Sequence, residues 1–178
     1  EKGSLGQKSK RGIFQRVGKE IHVLDPAANA YRPADSEISA ELAAILKERD
    51  PAVRLRALRS SDEVQAQFLW AIFRAVFHYA AVQLEAIADN ARDLDLALRW
   101  GFGWTQGPFE MWQAAGWQEI AEAIAADIEA GVAMSRQPLP AWVRDGRQGV
   151  HAADGSWSPR QQAYVPRSSL PVYLRQLF

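Results

Sequence analysis

From Asp62 to Ala88 the chain carries no glycine and no proline, and its centre, Phe68 to Val82, reads FLWAIFRAVFHYAAV. Few folds accept such a run. At 100° per residue Glu63, Gln67, Arg74, His78 and Glu85 line one narrow stripe, and nearly every other position is apolar. The spacing predicts a helix over about 62–88, roughly 40 Å long and buried on most sides. Ser60, with Glu63 three residues later, supplies a capping box at its start. The apolar stretch is too short to span hydrocarbon and holds Arg74 and His78, so it reads as core and not as a membrane span.

The flanks also read as helices. Ile38, Leu42, Ile45 and Leu46 have helical spacing, and Asp50-Pro51 opens a short helix over PAVRLRALRS. After the long helix, Asp93-Leu94-Asp95 places carboxylates in the first turn of another, where they oppose the helix dipole. Pro108 opens one that ends at Gly116, and WQEIAEAIAADIEAG continues to Gly131. The expected class is mainly α, a helical bundle around one long buried helix.

The two ends differ from this and resemble each other. GIFQRVGKEIHVLDPAANAYRP near the start and GVHAADGSWSPRQQAYVP near the end are β-prone runs broken by turn residues. Setting Tyr31 on Tyr164 superposes Pro26 on Pro159, Ala30 on Ala163 and Pro33 on Pro166, a shared P-x-x-x-A-Y-x-P. A β-hairpin is expected in both places. The match is either chance between turn-rich segments or a repeat. As a repeat, it divides the chain into residues 1–33 (the tail of a preceding copy), 34–59 (connecting helices), 60–166 (one whole helical copy) and 167–178 (a linker).

Composition narrows the function. Among 178 residues, 21 basic side chains balance 21 acidic ones, which favours no nucleic-acid partner. The absence of cysteine removes disulfides and thiolate chemistry, and His22, His78 and His151 lack metal-ligand spacing, so no metal is expected. The polar opening EKGSLGQKSKRG does not read as a signal peptide, and a first residue other than methionine suggests a piece of a longer protein.

RWGFGWTQGPFEMW, Arg99 to Trp112, concentrates glycine and tryptophan. Gly101, Gly103 and Gly107 give G-x-G-x-x-x-G after a helix, whereas a dinucleotide loop needs a different spacing after a strand. A helix-to-helix corner fits better: Gly101 or Gly103 closes one helix in the left-handed region and Gly107-Pro108 opens the next. Trp100, Trp104, Phe109 and Trp112 would then wedge the corner against the core, the alternative being a ligand-contacting surface.

DLDLALRWGFGWTQGPFEMWQAAGW, Asp93 to Trp117, resembles the signature of the C-terminal helical domain of 3-hydroxyacyl-CoA dehydrogenases. The residues that carry the likeness are Asp93, Asp95, Gly101, Gly103, Trp104, Gly107, Pro108, Phe109 and Gly116. LGQKSKRGIF, Leu5 to Phe14, is similar to the segment closing the first copy of that domain in fused β-oxidation proteins, which carry it twice.

The resemblance implies a cytoplasmic parent that oxidises 3-hydroxyacyl-CoA with NAD. In that family a His-Glu pair in the nucleotide domain and an asparagine of the first helical copy do the chemistry. Counting back from Asp93 puts that asparagine within Leu69 to Arg74, and the asparagines of this chain are Asn29 and Asn90. The expectation is therefore a second copy with no catalytic, cofactor or metal residues of its own, bracing the catalytic copy and the NAD-binding domain, with acyl-CoA as a candidate contact. A divergent catalytic domain and a stand-alone interaction module are the alternatives. His78 lacks a carboxylate placed in sequence to make it a base. Phe68, Trp70, Phe73 and Phe77 are expected to face the partner, and an isolated fragment is expected to pair with itself as a homodimer.

Overall fold

The structure, a computed structural model, describes residues 6–34 and 37–170. The chain divides into two compact units, Glu1–Ile38 and Ser39–Phe178. The first unit is an antiparallel sheet of three strands in sequence order, β1 (Phe14–Val17), β2 (Glu20–Asp25) and β3 (Ala30–Pro33).

The second unit is mainly helical. It holds α1 (Ala40–Lys47), α2 (Pro51–Ser60), α3 (Val64–Ile87), α4 (Ala91–Phe102), α5 (Pro108–Ala114) and α6 (Trp117–Glu129). A 3-10 turn at Ala141–Arg144 then leads into a second antiparallel sheet: β4 (His151–Ala152), β5 (Gly155–Ser158) and β6 (Ala163–Val165).

Caps set most helix ends. Asp50 accepts from the amides of Ala52 and Val53 with Pro51 in the first turn of α2, and Asn90 accepts from Arg92 and Asp93 at the start of α4. The start of α3 differs from the expected capping box. Ser60 is the last residue of α2, and Glu63 itself caps α3, its carboxylate accepting from the amide of Ala66. The Ser61 hydroxyl accepts from the Glu63 amide and donates to Glu41, so the serine that matters joins two helices instead of opening one.

The core of the second unit is aromatic. Trp112 stacks on Trp117 at 4.3 Å and on Phe77 at 5.7 Å, with Phe109 alongside. Both indoles keep their N–H satisfied: Trp112 donates to Trp117 O and Trp117 to Val143 O. Only half of the expected wedge is here. Phe109 and Trp112 are buried, whereas Trp100 and Trp104 lie on the exposed side of α4 and its exit, with Phe102 beside Trp104.

Gly103 is the left-handed residue that ends α4, at φ 69°, and Gly101 lies inside the helix with open space where a Cβ would go. Gly103→Ala is expected to lower stability by about 1 kcal/mol, while Gly101→Ala is neutral or stabilising by a few tenths. Urea denaturation of the two variants decides it; equal losses would contradict the assignment.

The polar stripe of α3 is split: Gln67 and Glu85 are exposed, whereas its middle is not. Arg74 and His78 are buried, and the exposed stripe is apolar: Val64, Phe68, Ile72 and Tyr79, with Phe68 at 64% and Tyr79 at 67% exposure. The polar pair is buried because it secures the irregular segment after α6. Arg74 donates to Asp127 Oδ2 at 2.7 Å and to Val132 O at 2.7 Å, and His78 Nε2 bonds Gln137 O at 2.7 Å. Carbonyls that no helix or strand would satisfy thus find donors on α3. Of the expected partner-facing residues, Phe68 is exposed and Phe73 is half-buried against the core. Trp70 and Phe77 are enclosed by their own chain.

The two sheets repeat one another. Leu24 pairs with Tyr31 and Asp25 with Ala30, as Trp157 pairs with Tyr164 and Ser158 with Ala163. Asn29 and Gln162 occupy the same turn position with φ 50° and 53°. The Tyr31 hydroxyl donates to Gly12 O, and that of Tyr164 to Gly149 O. Their surroundings differ: Val150 is fully buried, whereas its counterpart Ile13 is 70% exposed.

Candidate functional site

Two features of the second unit qualify as candidate sites: a polar cluster under the α4–α5 corner and a groove beside it. Asp95, on the inner face of α4, is 1% exposed. Its Oδ1 accepts from the amide of Phe109 and its Oδ2 from that of Glu110, the first free N–H groups of α5. Its Oδ2 also lies 2.8 Å from His151 Nε2 on β4, while His151 Nδ1 lies 3.0 Å from Ser156 Oγ on β5. Gln113 holds the same strand through His151 N and O. Burial pushes the Asp95 carboxyl above the ordinary carboxylate range, and the hydrogen bonds from His151 and the Phe109 amide pull it back.

Serine, histidine and aspartate in a row invite a hydrolase reading, which the geometry opposes. Ser156 is buried inside the sheet, and its hydroxyl meets Nδ1, where a nucleophilic serine meets Nε2. The cluster therefore holds α4, α5 and the second sheet together. Gly107 explains how the carboxylate comes so close: a Cβ there would lie 2.3 Å from Asp95 Cβ. Glu110 closes the corner from the other side, accepting from the Gly107 amide at 2.7 Å and from Arg99 at 3.1 Å.

Beside the corner runs a groove of about 1060 Å³ between the second half of α3 and α4. Tyr79, Val82, Leu94, Leu98, Phe102 and Met134 give it an apolar wall, and Asp89, Asp93 and Arg160 also line it. Among the described residues no group of three His, Cys, Asp or Glu could hold a metal ion, and no single helix is long and apolar enough to cross a membrane.

A protein of Bacillus subtilis described as a probable 3-hydroxyacyl-CoA dehydrogenase is 34% identical over 145 residues, which is 82% of this chain and 17% of that protein. The chain is a domain of the 3-hydroxyacyl-CoA dehydrogenase family. A Rickettsia felis protein described as a fatty acid oxidation complex trifunctional enzyme is 23% identical over 130 residues, 67% of this chain and 16% of that protein. The chain thus spans less than a fifth of either relative. No family model and no solved structure matches it.

The residues that carry the family likeness fall into two groups. Asp95, Gly107, Pro108 and Phe109 meet at the buried corner, and Asp93, in the first turn of α4, accepts from Asn90 Nδ2. Gly101, Gly103 and Trp104 lie on the exposed exit of α4, and Gly116, at φ 100°, precedes α6. His151 completes the buried group and carries no signal in sequence, being 56 positions from Asp95.

Proposed function

We propose that this chain is the helical part of a longer, cytoplasmic enzyme of fatty-acid β-oxidation that oxidises 3-hydroxyacyl-CoA with NAD, and that hydride transfer takes place outside it. Residues 69–74, where the family's asparagine is expected, carry this reading. The polar side chains in that window are Trp70 and Arg74, and both donate to Asp127 Oδ2, at 3.1 and 2.7 Å. A buried arginine committed to a buried-side carboxylate cannot turn to a substrate without stranding its partner.

NAD is bound, on this reading, outside this chain. The glycines after Arg99 close a helix, whereas a pyrophosphate needs a strand, a tight turn and a helix N-terminus in that order. The cofactor therefore belongs to the nucleotide domain of the parent. This copy braces the catalytic one and contributes to the wall of the acyl-CoA site.

Purified residues 1–178 are expected to give no heat on calorimetric titration with NAD and no reduction of NAD with 3-hydroxybutyryl-CoA. In the longer protein His78→Gln is expected to keep kcat within about twofold, since His78 bonds only a backbone carbonyl. Turnover by the isolated chain, or loss of kcat in the His78 variant with the protein still folded, overturns the reading.

A further inference from the structure

The first sheet repeats the second but carries a longer hairpin. β4 and β5 turn after two pairs, whereas β1 and β2 continue for two more, Arg16 with Ile21 and Val17 with Glu20. The two-residue loop Gly18-Lys19 closes them, with Gly18 at φ 61°. β3 pairs only as far as His22, and its last bond runs from Ala34 N to Ile21 O, so the tip beyond is a ribbon of two strands. The shorter hairpin of the second sheet already closes the same architecture. The two extra pairs therefore serve something outside the fold.

Val17 is 48% exposed and Ile21 59%. Paired residues share a face and successive ones alternate, so these two point to opposite faces of the ribbon. Arg16 shares the face of Ile21, Lys19 sits in the loop, and Lys8 and Lys10 on the preceding turn are exposed as well. Residues 6–34 hold six basic side chains against two acidic ones, in a chain whose total charge is zero. Both carboxylates are engaged, Glu20 beside His22 and Asp25 with its own turn and Arg32. Lys8, Lys10, Arg16 and Lys19 have no carboxylate partner among the described residues.

We propose that this hairpin tip rests on an anionic lipid surface, with its basic side chains at the phosphates and Val17 and Ile21 among the upper acyl carbons. The contact is peripheral and is independent of the reaction assigned above. Two observations select lipid. A flat protein surface covers one face of a ribbon and leaves the aliphatic side chain of the other in water, whereas a fluid bilayer surrounds the tip and takes both. A surplus of one charge sign on flexible side chains also suits many negative groups at no fixed spacing, each basic residue adding about fivefold to the affinity.

The test sediments the full-length protein with vesicles of phosphatidylcholine, alone or with about a third phosphatidylglycerol, at about 0.1 M salt. Binding to the anionic vesicles is expected to be at least about tenfold tighter than to the neutral ones, and to weaken at about 0.5 M salt. Arg16→Glu with Lys19→Glu, and separately Val17→Ser with Ile21→Ser, are each expected to lower it about tenfold or more. All four side chains are exposed, so the variants fold. Lys47→Glu with Arg49→Glu, an exposed basic pair between α1 and α2, is expected to bind as the parent does. Equal binding to the two vesicles, no binding to either, or an equal loss in the Lys47 and Arg49 control overturns the proposal. Full binding by the Val17 and Ile21 variant overturns it too, since the contact would then be one of charge alone. Loss of a co-purifying subunit from the tip variants, without vesicle binding by the parent, assigns the tip to a protein partner instead.

Discussion

Gly107→Ala is expected to leave little folded protein. The backbone at Gly107 has φ −78°, which any residue adopts, so the cost is one of space. The added methyl would lie 2.3 Å from Asp95 Cβ and 2.4 Å from its Cγ and Oδ1. Asp95 cannot swing away, because Phe109 N, Glu110 N and His151 Nε2 hold its two oxygens. Relief requires either moving the start of α5 or breaking bonds to a buried carboxylate. Overpacking combined with an unpaired buried charge costs about 3 kcal/mol or more, a large part of the 5–15 kcal/mol that stabilises an ordinary domain. Thermal melting followed by circular dichroism measures it. A midpoint equal to that of the parent chain would mean that the corner yields easily and that Asp95 is not fixed.

Asp95→Ala is expected to cost about 3 kcal/mol, because it leaves the Phe109 and Glu110 amides and the half-buried imidazole without their acceptor. His151→Ala alone should also destabilise, by leaving a carboxylate whose protonation burial already favours. The double variant is expected to be less damaged than the two single losses added together, with a coupling of at least about 1 kcal/mol. Urea denaturation of the four proteins gives the coupling directly. Strict additivity would show that the 2.8 Å contact contributes nothing and that Asp95 acts through the α5 amides alone.

Local order was legible where it is set by neighbours in sequence. Asp50-Pro51 and Gly107-Pro108 mark helix starts through groups two or three residues away, the start of α4 lies two residues ahead of the expected Asp93, and the uninterrupted run to Ala88 places α3 to within about two residues. The misreadings came from contacts across the chain. Sequence shows Arg74 only as part of a polar stripe, because its partners, Asp127 on α6 and Val132 just beyond it, are more than fifty positions away; Trp70 reads as partner-facing for the same reason. Asp95 stands out in sequence through the family resemblance, but His151 and Ser156 join it only once the second sheet folds back. Gly107 was identified as a helix opener, while its stronger constraint, the carboxylate above it, belongs to the preceding helix.

The twin sheets have one more consequence, for hydrogen exchange. Leu24 N bonds Ile13 O at 2.8 Å, and Trp157 N bonds Val150 O at 2.8 Å, each just beyond the last pair of its hairpin, four pairs from the turn in the first sheet and two in the second. Within one polypeptide, then, a single backbone hydrogen bond occurs twice, once beside an exposed isoleucine and once beside a buried valine. The ratio of deuterium uptake at these two amides compares the lifetime of a strand pairing beside a buried residue with that beside an exposed one, at equal bond distance and in the same solution. Each molecule carries its own reference.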